Sequence, residues 1–379
     1  MNKENPKISV VMSVYNASAY LRESIESILN QTYTDFEFII INDCSTDNSW
    51  EIINEYAKKD SRIVLINNPE NIGLTKSLNK GLKIAKGEYI ARQDADDVSL
   101  PQRFGKQVLV LDENPEVILV SCDLEVIDSE GNPYSKYQRS CKPEFVAWYL
   151  LFYNYLAGHS QVIFRREPVS KLGGYCETYL YAQDYQLWSR LVKIGQIYIL
   201  PEILLQYRVH THSISSDKKI VQDNFLFTQI QNNINYLIHK EITLEEAKYL
   251  MKFWSGYWNS DFFPSYEEAE KIHLIIRDIY QGFINQSKYD NLSDYNYIAY
   301  HLRIIIGKQF LLWVRSLKIK DSLLAKIKVS LCAFRWYPFG VFYRWFVDIV
   351  KSFLILFRPV SYRLSNIISL KLISDENIN

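Results

Sequence analysis

The N-terminal part of the chain alternates short apolar segments with amphipathic ones, and this alternation restricts the possible folds more than any other feature. Between the apolar segments, hydrophobic residues recur at helical spacing, as they do over residues 74–85. Strands that alternate with helices form a mostly parallel sheet with helices on both faces. The sequence therefore predicts an α/β fold, with buried strands at residues 8–15, 36–41, 63–66 and 89–91.

A second pattern follows toward the C-terminus. From about residue 220 the spacing becomes helical and stays so, and capping boxes at residues 243–246 and 265–268 mark the starts of two helices. We therefore predict two parts: an α/β domain of the Rossmann-like kind at residues 1–219, and an all-helical C-terminal region at residues 220–379.

The net charge excludes some partners. The chain has 43 Lys and Arg residues against 43 Asp and Glu residues, so nothing in its overall charge favours a nucleic-acid partner. The five cysteines are odd in number, widely spaced and lack a C-x-x-C pair, which fits a reducing cytosol rather than a disulfide framework or a zinc site. We expect no signal peptide, because residues 1–7 are polar and lead directly into a strand, and no membrane-spanning segment, because no apolar run is long enough.

The charge is unevenly distributed. Between residues 303 and 363, twelve Lys and Arg residues stand against two acidic residues, amid many aromatic side chains. Within residues 341–357, Arg344, Asp348 and Lys351 fall on one stripe of an otherwise apolar helix. We expect this basic, aromatic region to bind an anionic membrane surface, which places the protein peripherally on the cytoplasmic face of the plasma membrane. The alternative is a packed helical subdomain whose charges are only solvated. Further basic residues in the region are Lys318, Lys320, Lys326 and Lys328.

Polar residues follow three of the predicted strands. In open α/β sheets, ligands bind beyond the carboxyl ends of the strands. Tyr15 follows the first strand, Asp43 the second, and residues 94–97 the fourth. Neither a G-x-G-x-x-G motif nor a P-loop motif accompanies them, which excludes the common dinucleotide-binding and P-loop sites.

Several carboxylates are candidates for chemistry. Asp94 and Asp96 form a D-x-D triplet whose oxygens suit Mg²⁺ or Mn²⁺; the alternative is a polar turn that caps a helix. Asp43 can accept a hydrogen bond from a nucleobase imide, or it can cap the next helix. Asp184 can serve as a general base, or as another N-cap. His210 can bind a metal or orient a ligand, or do neither.

The order and spacing of these motifs resemble the nucleotide-sugar glycosyltransferases of family 2, which have the GT-A fold. The resemblance covers about residues 7–215 and leaves out the helical remainder of the chain. The motifs that carry it are, in chain order, Val14-Tyr15-Asn16, Asn42-Asp43-x-Ser45-x-Asp47, Asn71-x-Gly73, Asn79-x-Gly81, Gly87-Glu88-Tyr89-Ile90, Asp94-Ala95-Asp96-Asp97, Gly173-Gly174-Tyr175, Asp184-Tyr185-x-x-Trp188 and Tyr207-Arg208-x-His210.

The resemblance implies a role for each matching residue. Ser13, Tyr15 and Asp43 hold the nucleoside, and Asp43 reads the base. Many family members have Arg immediately before the Asn of the Asn79-x-Gly81 motif; here that position is Leu78, so Lys76 is the nearby cation for the diphosphate. Asn42 stands where many members have a further Asp.

The resemblance also implies the catalytic groups. Asp94 and Asp96 bind the ribose of the donor and a Mn²⁺ or Mg²⁺ ion on its diphosphate, and Asp184 deprotonates the acceptor hydroxyl. His210 lies where some members place a further contact to the metal or the diphosphate.

The function that follows is an inverting, metal-dependent, hexosyltransferase-like glycosyl transfer. The donor is a nucleotide sugar, most often a UDP-sugar in this family, and the acceptor is a hydroxyl of a glycan or lipid-linked glycan in cell-surface polysaccharide synthesis, such as capsule or O-antigen. One alternative is a non-catalytic, nucleotide-binding subunit of a polysaccharide assembly complex. A nucleotidyltransferase is a third possibility, but the turn after Tyr15 is neither glycine-rich nor basic.

Overall fold

The first of two compact units, residues 1–255, contains the sheet; the second comprises residues 256–379. Among the described residues, no helix is long and apolar enough to cross a membrane. The computed structural model describes residues 5–211, 219–255, 266–286, 292–316 and 323–343.

Nine strands of the described residues form one mixed sheet with the order β3-β2-β1-β4-β8-β6-β9-β5, and β7 pairs with β6 at its side. The strands β1 to β4 are parallel, whereas β8 is antiparallel to both of its neighbours. The strands are β1 (Ile8–Val14), β2 (Phe36–Asn42), β3 (Ile63–Asn67), β4 (Tyr89–Arg92), β5 (Val98–Ser99), β6 (Val117–Ile127), β7 (Pro133–Tyr137), β8 (Ile163–Arg165) and β9 (Gln196–Arg208).

The four predicted strands are confirmed to within one residue at each end. They are almost continuously apolar because helices cover both faces of this half of the sheet, as parallel strands require. The other half is antiparallel in part, and nothing in the apolar pattern predicted it. The α/β prediction is therefore confirmed, with a mixed rather than a mostly parallel sheet.

Nine helices of the first unit are described. The predicted capping box at residues 243–246 is confirmed: the Thr243 hydroxyl accepts the Glu246 N–H at 3.1 Å, and the Glu246 carboxylate accepts the Thr243 N–H at 2.7 Å. The helices are α1 (Leu21–Leu29), α2 (Ser49–Lys59), α3 (Leu74–Ile84), α4 (Arg103–Glu113), α5 (Pro143–Tyr149), α6 (Arg166–Lys171), α7 (Gln183–Leu191), α8 (Lys219–Ile238) and α9 (Leu244–Ser255).

The second unit is helical where it is described, with α10 (Tyr266–Gln286), α11 (Leu292–Ser316) and α12 (Leu323–Trp336). Its core includes a hydrogen bond of 3.1 Å from the Trp336 indole to the His273 ring. The helical C-terminal region is therefore confirmed. The predicted charged stripe of Arg344, Asp348 and Lys351 lies outside the described residues, as do Lys318, Lys320 and the capping box that begins at residue 265. The compact first unit includes α8 and α9, which lie beyond the predicted boundary at residue 219; that boundary stays a prediction.

Close packing of α3 on the sheet depends on a glycine. A Cβ atom added to Gly81 would lie 2.6 Å from the Val11 Cγ1 atom of β1 and 3.0 Å from the Ile41 Cδ1 atom of β2. The helix can therefore approach the strands only because this side chain is missing. Gly105 in α4 is different, since its nearest neighbour for an added Cβ is the Tyr33 Cβ atom at 4.0 Å.

This contrast yields a matched pair of substitutions. We expect Gly81→Ala to lower the free energy of unfolding by about 1–3 kcal/mol, because the added methyl group overpacks the interface with β1. Gly105→Ala should instead raise it by roughly 0.5–1 kcal/mol, since alanine favours a helix and finds space there. Urea-induced unfolding of both variants measures the two changes, and a stabilised Gly81→Ala protein would contradict the packing of α3.

Candidate active site

The carboxyl ends of β1, β2 and β4 meet at one edge of the sheet, because these strands are parallel and in register. The loops beyond β1 and β2 are joined there: the Asn16 N–H donates to the Ser45 hydroxyl at 3.1 Å, and the Asn16 side-chain oxygen accepts the Thr46 N–H at 2.8 Å. Ser13 is half-buried near the end of β1, and Tyr15 just beyond it is 52% exposed. Both residues thus lie at the edge where the sequence predicted a ligand.

Asp43 is buried at the end of β2, and both oxygens of its carboxylate accept hydrogen bonds from the chain. One oxygen accepts the Asn68 side-chain amide at 2.8 Å and the Ile72 N–H at 3.0 Å; the other accepts the Gly73 N–H at 2.9 Å. Gly73 is the N-cap of α3, so Asp43 holds the start of α3 rather than capping α2, the next helix along the chain. Lys76 is exposed in the first turn of the same helix.

Asp94 lies beyond β4 in an ion pair with the buried Arg92 guanidinium. Its other carboxylate oxygen accepts the Ser160 hydroxyl at 3.1 Å, and its own N–H donates to that hydroxyl oxygen at 2.9 Å. Burial alone would raise the pKa of Asp94, but the charge of Arg92 and the bond from Ser160 hold that pKa below its usual range. The carboxylate is therefore ionised and fixed in direction.

A second buried arginine, Arg103, holds the backbone of the residues that contact Asp94. The Arg103 guanidinium donates to the backbone carbonyls of Ser160 and Arg92, and burial lowers its pKa to about 10. The neighbouring carboxyl of Asp97 is fully buried and contacts the Ser160 hydroxyl. Burial, together with the charges of the two nearby aspartates, raises the pKa of Asp97 well above its usual range.

Arg92, Arg103 and Ser160 were not predicted from the sequence. A signal for the two arginines was present, because Arg92 ends a strand that is otherwise apolar and Arg103 shares the buried face of α4 with Phe104 and Leu111. A charged residue at a position that the pattern assigns to the core requires a buried partner. Ser160 carries no such signal, since its role comes from a loop 66 residues away from Asp94.

The end of β9 brings His210 to the D-x-D triplet. The His210 Nε2 atom lies 3.0 Å from a carboxylate oxygen of Asp96, and its ring lies 5.0 Å from that of Tyr20. Arg208 holds the turn in place: its N–H donates to the Asp97 carboxylate and its Nε to the Asp96 carbonyl, each at 3.0 Å. Asp96 and His210 are thus one neighbouring pair of potential metal ligands. No cluster of three or more His, Cys, Asp or Glu side chains suited to a metal occurs among the described residues.

Asp184 lies in the first turn of α7. It is not the N-cap, which is Ala182, so the capping alternative is wrong. One carboxylate oxygen accepts a hydrogen bond from the backbone N–H of Tyr185 at 2.7 Å. The other accepts one from the Asn154 side-chain amide at 2.8 Å. Burial raises the pKa of Asp184, and the negative charge of Asp94 raises it further. This carboxyl therefore has a higher affinity for a proton than an ordinary aspartate.

A helix beyond the predicted domain boundary supports α7. Asn233 of α8 is buried, and its side-chain amide lies 3.2 Å from the Leu150 carbonyl, 3.2 Å from the Tyr185 hydroxyl and 3.1 Å from the Ser189 hydroxyl. The Gln229 amide donates to its oxygen at 2.8 Å. Since Tyr185 directly follows Asp184, α8 helps to position the helix that carries this carboxylate.

The motifs Asn79-x-Gly81 and Gly173-Gly174-Tyr175 contact each other. The Asn79 side chain accepts the Tyr175 N–H and donates to the Tyr175 carbonyl, each at 2.9 Å. Gly174 has a positive φ of 75°, and a Cβ there would lie 2.6 Å from the Asn79 oxygen. The Tyr175 hydroxyl lies 2.8 Å from the buried His159 ring. The charges of Asp184 and Asp94 act on Tyr175, so these motifs lie next to both carboxylates.

The sheet and its flanking helices have the architecture of the GT-A glycosyltransferases. The structure of Staphylococcus aureus TarS residues 1–349 in complex with UDP-GlcNAc matches with a TM-score of 0.54 at 15% identity, over 88% of this chain and 92% of that TarS fragment. At this identity the likeness concerns the fold.

Sequence comparison then gives the family. The model of glycosyl transferase family 2 matches residues 9–173. An uncharacterized glycosyltransferase of Haemophilus influenzae is 30% identical over 340 residues, which are 86% of this chain and 98% of that protein. The putative teichuronic acid biosynthesis glycosyltransferase TuaG of Bacillus subtilis is 31% identical over 58% of this chain and 85% of its own length. The chain therefore belongs to glycosyltransferase family 2, and it is a transferase enzyme.

The buried His159 gives the fold a predictable sensitivity to acid. Burial and the charge of Arg92 lower the pKa of His159 to about 3, whereas an unfolded histidine has a pKa of about 6.5. Between these values the unfolded chain binds a proton that the folded chain does not. We therefore expect stability to fall with decreasing pH over this range, with His159 contributing up to about 1.4 kcal/mol per pH unit.

Urea-induced unfolding at several pH values between 4 and 7 tests this expectation. The free energy of unfolding of the His159→Asn variant should change less steeply with pH than that of the wild-type protein. The difference should correspond to about one proton. Tyr175→Phe is the control, because it removes the same hydrogen bond but keeps the buried ring, and it should retain the steep dependence. Equal slopes for wild type and His159→Asn would show that His159 is not held neutral.

Proposed function

We propose that this glycosyltransferase is an inverting, metal-dependent enzyme that moves a sugar from a nucleoside diphosphate donor to a hydroxyl of a glycan or lipid-linked acceptor. The observation that carries the proposal is the pair of carboxylates with opposite environments. Asp94 is held ionised by Arg92, while burial raises the pKa of Asp184. Titratable groups whose environments push their pKa values apart typify acid–base sites, and here they suit a donor-binding group and a proton acceptor.

The nucleotide edge supports a donor of this class. Tyr15 offers an exposed ring beyond β1, Ser13 lies beside it, and Asp43 ends the neighbouring strand. Lys76 provides an exposed positive charge in the first turn of α3, which suits an anion such as a diphosphate. TarS, which shares the fold, was crystallised with UDP-GlcNAc, and we propose a UDP-sugar for this protein.

The residues around Asp96 fit a divalent cation. A carboxylate and an imidazole, 3.0 Å apart and both partly exposed, provide one oxygen and one nitrogen donor, which suits Mn²⁺ and also admits Mg²⁺. Asp94 contacts Arg92 and Ser160 with both oxygens, so we assign the cation to Asp96 and His210, with Asp94 toward the donor ribose. Such a cation would neutralise negative charge on the leaving diphosphate.

Asp184 then performs the proton transfer. As the acceptor hydroxyl oxygen bonds to the anomeric carbon, the bond from that carbon to the diphosphate oxygen breaks, and Asp184 takes the hydroxyl proton. Attack from the face opposite the leaving group inverts the configuration. The raised pKa of Asp184 favours this proton transfer, and the Asn154 amide fixes the carboxylate's direction.

The relative's name suggests the acceptor class. TuaG is named for teichuronic acid biosynthesis, and we propose that this protein also acts in assembling a cell-surface polysaccharide. We further propose residues 1–219 as the catalytic domain and residues 220–379 as a helical region that binds the cytoplasmic face of the plasma membrane. Exposed aromatic side chains next to α12 support the latter: Phe339 is 82% exposed and Phe342 is 58% exposed.

Two substitutions separate the binding of the donor from its turnover. Asp96→Asn should abolish the Mn²⁺-dependent part of UDP binding, because it removes the carboxylate from the cation site. Asp184→Asn should leave UDP binding nearly unchanged but lower kcat by about 10²–10⁴-fold, the usual contribution of a general base. Calorimetric titration with UDP, GDP and dTDP, with and without Mn²⁺, measures binding, and release of the nucleoside diphosphate measures turnover with a panel of glycoside acceptors.

Asp112→Asn is the matched control. The Asp112 carboxylate of α4 pairs at 2.7 Å with Lys7, which immediately precedes β1. This pair lies at the amino ends of the strands, opposite the candidate site, so the substitution should affect neither binding nor turnover. Wild-type turnover by Asp184→Asn would refute the assignment of the base. If none of the nucleotides binds to the wild-type protein, the proposed donor class is wrong.

Membrane binding has an electrostatic test. The double variant Lys326→Gln/Lys328→Gln removes two charges from α12, each worth about 1 kcal/mol near an anionic surface, and should weaken binding to anionic phospholipid vesicles about tenfold or more. The control Lys58→Gln/Lys59→Gln removes two charges from α2 in the first unit and should have little effect. Sedimentation with the vesicles at low salt measures binding, and equal behaviour of the two double variants would contradict the proposal.

A further inference from the structure

The segment between α5 and β8 forms the part of the site next to Asp184. Asn154 of this segment donates its side-chain amide to the Asp184 carboxylate at 2.8 Å. Its own side-chain oxygen is buried and accepts no hydrogen bond from any part of the chain that the structure describes. A buried carbonyl oxygen of this kind calls for a donor. A sugar hydroxyl adjacent to the one that attacks would supply it.

Aromatic rings continue the surface away from Asn154. The rings of Tyr149 and Tyr155 are stacked with centroids 4.6 Å apart, and the ring of Tyr153 lies 5.8 Å from that of Tyr155. Tyr149 and Tyr153 are half-buried, whereas Tyr155 is buried. Pockets for organic ligands typically combine such aromatic surface with a few polar groups that fix orientation.

Arg139 lies against two of these tyrosines, Tyr153 and Tyr155. Its guanidinium carbon lies 4.9 Å from the ring centroid of Tyr137, 5.8 Å from that of Tyr153 and 5.5 Å from that of Tyr155. One guanidinium nitrogen donates to the Tyr155 carbonyl at 2.9 Å, which holds the side chain against this segment. Because Tyr155 directly follows Asn154, Arg139 and Asp184 contact adjacent residues of this segment.

The charge of Arg139 has no carboxylate partner within the described residues. Its backbone N–H donates to the Asp123 carboxylate at 2.9 Å, but its guanidinium contacts only tyrosine rings and a carbonyl there. The surrounding residues 131–143 contain three basic residues and no acidic one. A guanidinium is always charged, and its planar array of donors matches a carboxylate or a phosphate. A half-buried, unpaired arginine beside a candidate active site is therefore suited to bind an anion.

We propose that Asn154, the half-exposed tyrosines and Arg139 form the subsite for an acceptor glycan that carries an anionic group, either a phosphate or a carboxylate. The Asn154 side-chain oxygen accepts a hydrogen bond from a hydroxyl of the reacting sugar. The ring of Tyr153 packs against a face of the sugar, and Arg139 pairs with the anion. The inference rests on the proposed function, because it takes Asp184 as the base. A purely structural role, in which Arg139 only supports Tyr155, is the outcome that would overturn it.

Acceptor analogues that differ only in charge test the subsite. The probes are octyl glucoside 6-phosphate, octyl glucuronide and neutral octyl glucoside, titrated calorimetrically into the full-length protein with and without saturating UDP. We expect the wild-type protein to bind at least one anionic probe about tenfold or more tightly than the neutral one. Arg139→Gln should lose this preference and Arg139→Lys should keep part of it, since lysine retains the charge but not the planar donors. Whichever anionic probe binds more tightly identifies the group as phosphate or carboxylate.

Arg62→Gln is the matched control. Arg62 also lies over an aromatic ring, 4.4 Å from the centroid of Phe36, and donates to a backbone carbonyl, that of Leu29, at 3.1 Å; unlike Arg139, it also pairs with a carboxylate, that of Asp60, at 2.7 Å. It is part of the α2–β3 connection rather than of the candidate subsite, so this variant should keep the preference for the anionic probe although it loses at least as many contacts. Thermal unfolding of all variants compares their stability.

Two results would overturn the inference: equal binding of charged and neutral probes by the wild-type protein, or a preference that survives in Arg139→Gln. The proposed function fails separately, if UDP does not bind or if Asp184→Asn turns over normally. Since the probes are also titrated without nucleotide, the result for Arg139 does not depend on the donor.

Discussion

The ion pair between Arg92 and Asp94 is the interaction on which the rest of the site depends. The Arg92 guanidinium is buried, whereas the Asp94 side chain is 28% exposed, so Arg92 is the charge that would be strongly destabilising if it were unpaired. Ser160 and Arg103 complete the arrangement by contacting Asp94 and the backbone around it. Removal of Asp94 would leave the charge of Arg92 buried without its partner, so Asp94 and its support form a single unit. This unit fixes the D-x-D triplet to the end of β4 and leaves Asp96 to face His210.

The two sides of the site are held by different physical means. The edge that we propose for the nucleotide follows from parallel strands in register, whose carboxyl ends necessarily meet. The side that we propose for the acceptor depends on polar contacts between distant segments, in which Asn154 holds Asp184 and Asn233 of α8 holds the following Tyr185. A helix that the sequence placed outside the α/β domain therefore contributes to the environment of the proposed base.

The sequence allowed the parallel half of the sheet to be predicted, because each of its strands is a continuous apolar run ending in polar residues. The mixed half could not be predicted in this way: β5 has two residues and β8 has three, too few for any periodicity. The same limit applies to the site. Asp94, Asp96 and Asp184 stand out as carboxylates in short motifs, whereas Asn154 and Ser160 become notable only through partners 30 and 66 residues away.

Two departures from the family pattern acquire a physical meaning in the structure. Asn42, which replaces an acidic residue of many members, donates its amide to the Asn67 side chain at 2.7 Å and accepts the Ser45 N–H at 3.2 Å. A carboxylate at this position has no N–H to donate, so it could not form the hydrogen bond that Asn42 donates to the Asn67 side-chain oxygen. Leu78, which replaces an arginine, is fully buried on the inner face of α3, whereas Lys76 is exposed. Neutral or apolar groups thus occupy both positions, and Asp43 and Lys76 are the charges that we propose for selecting the nucleotide.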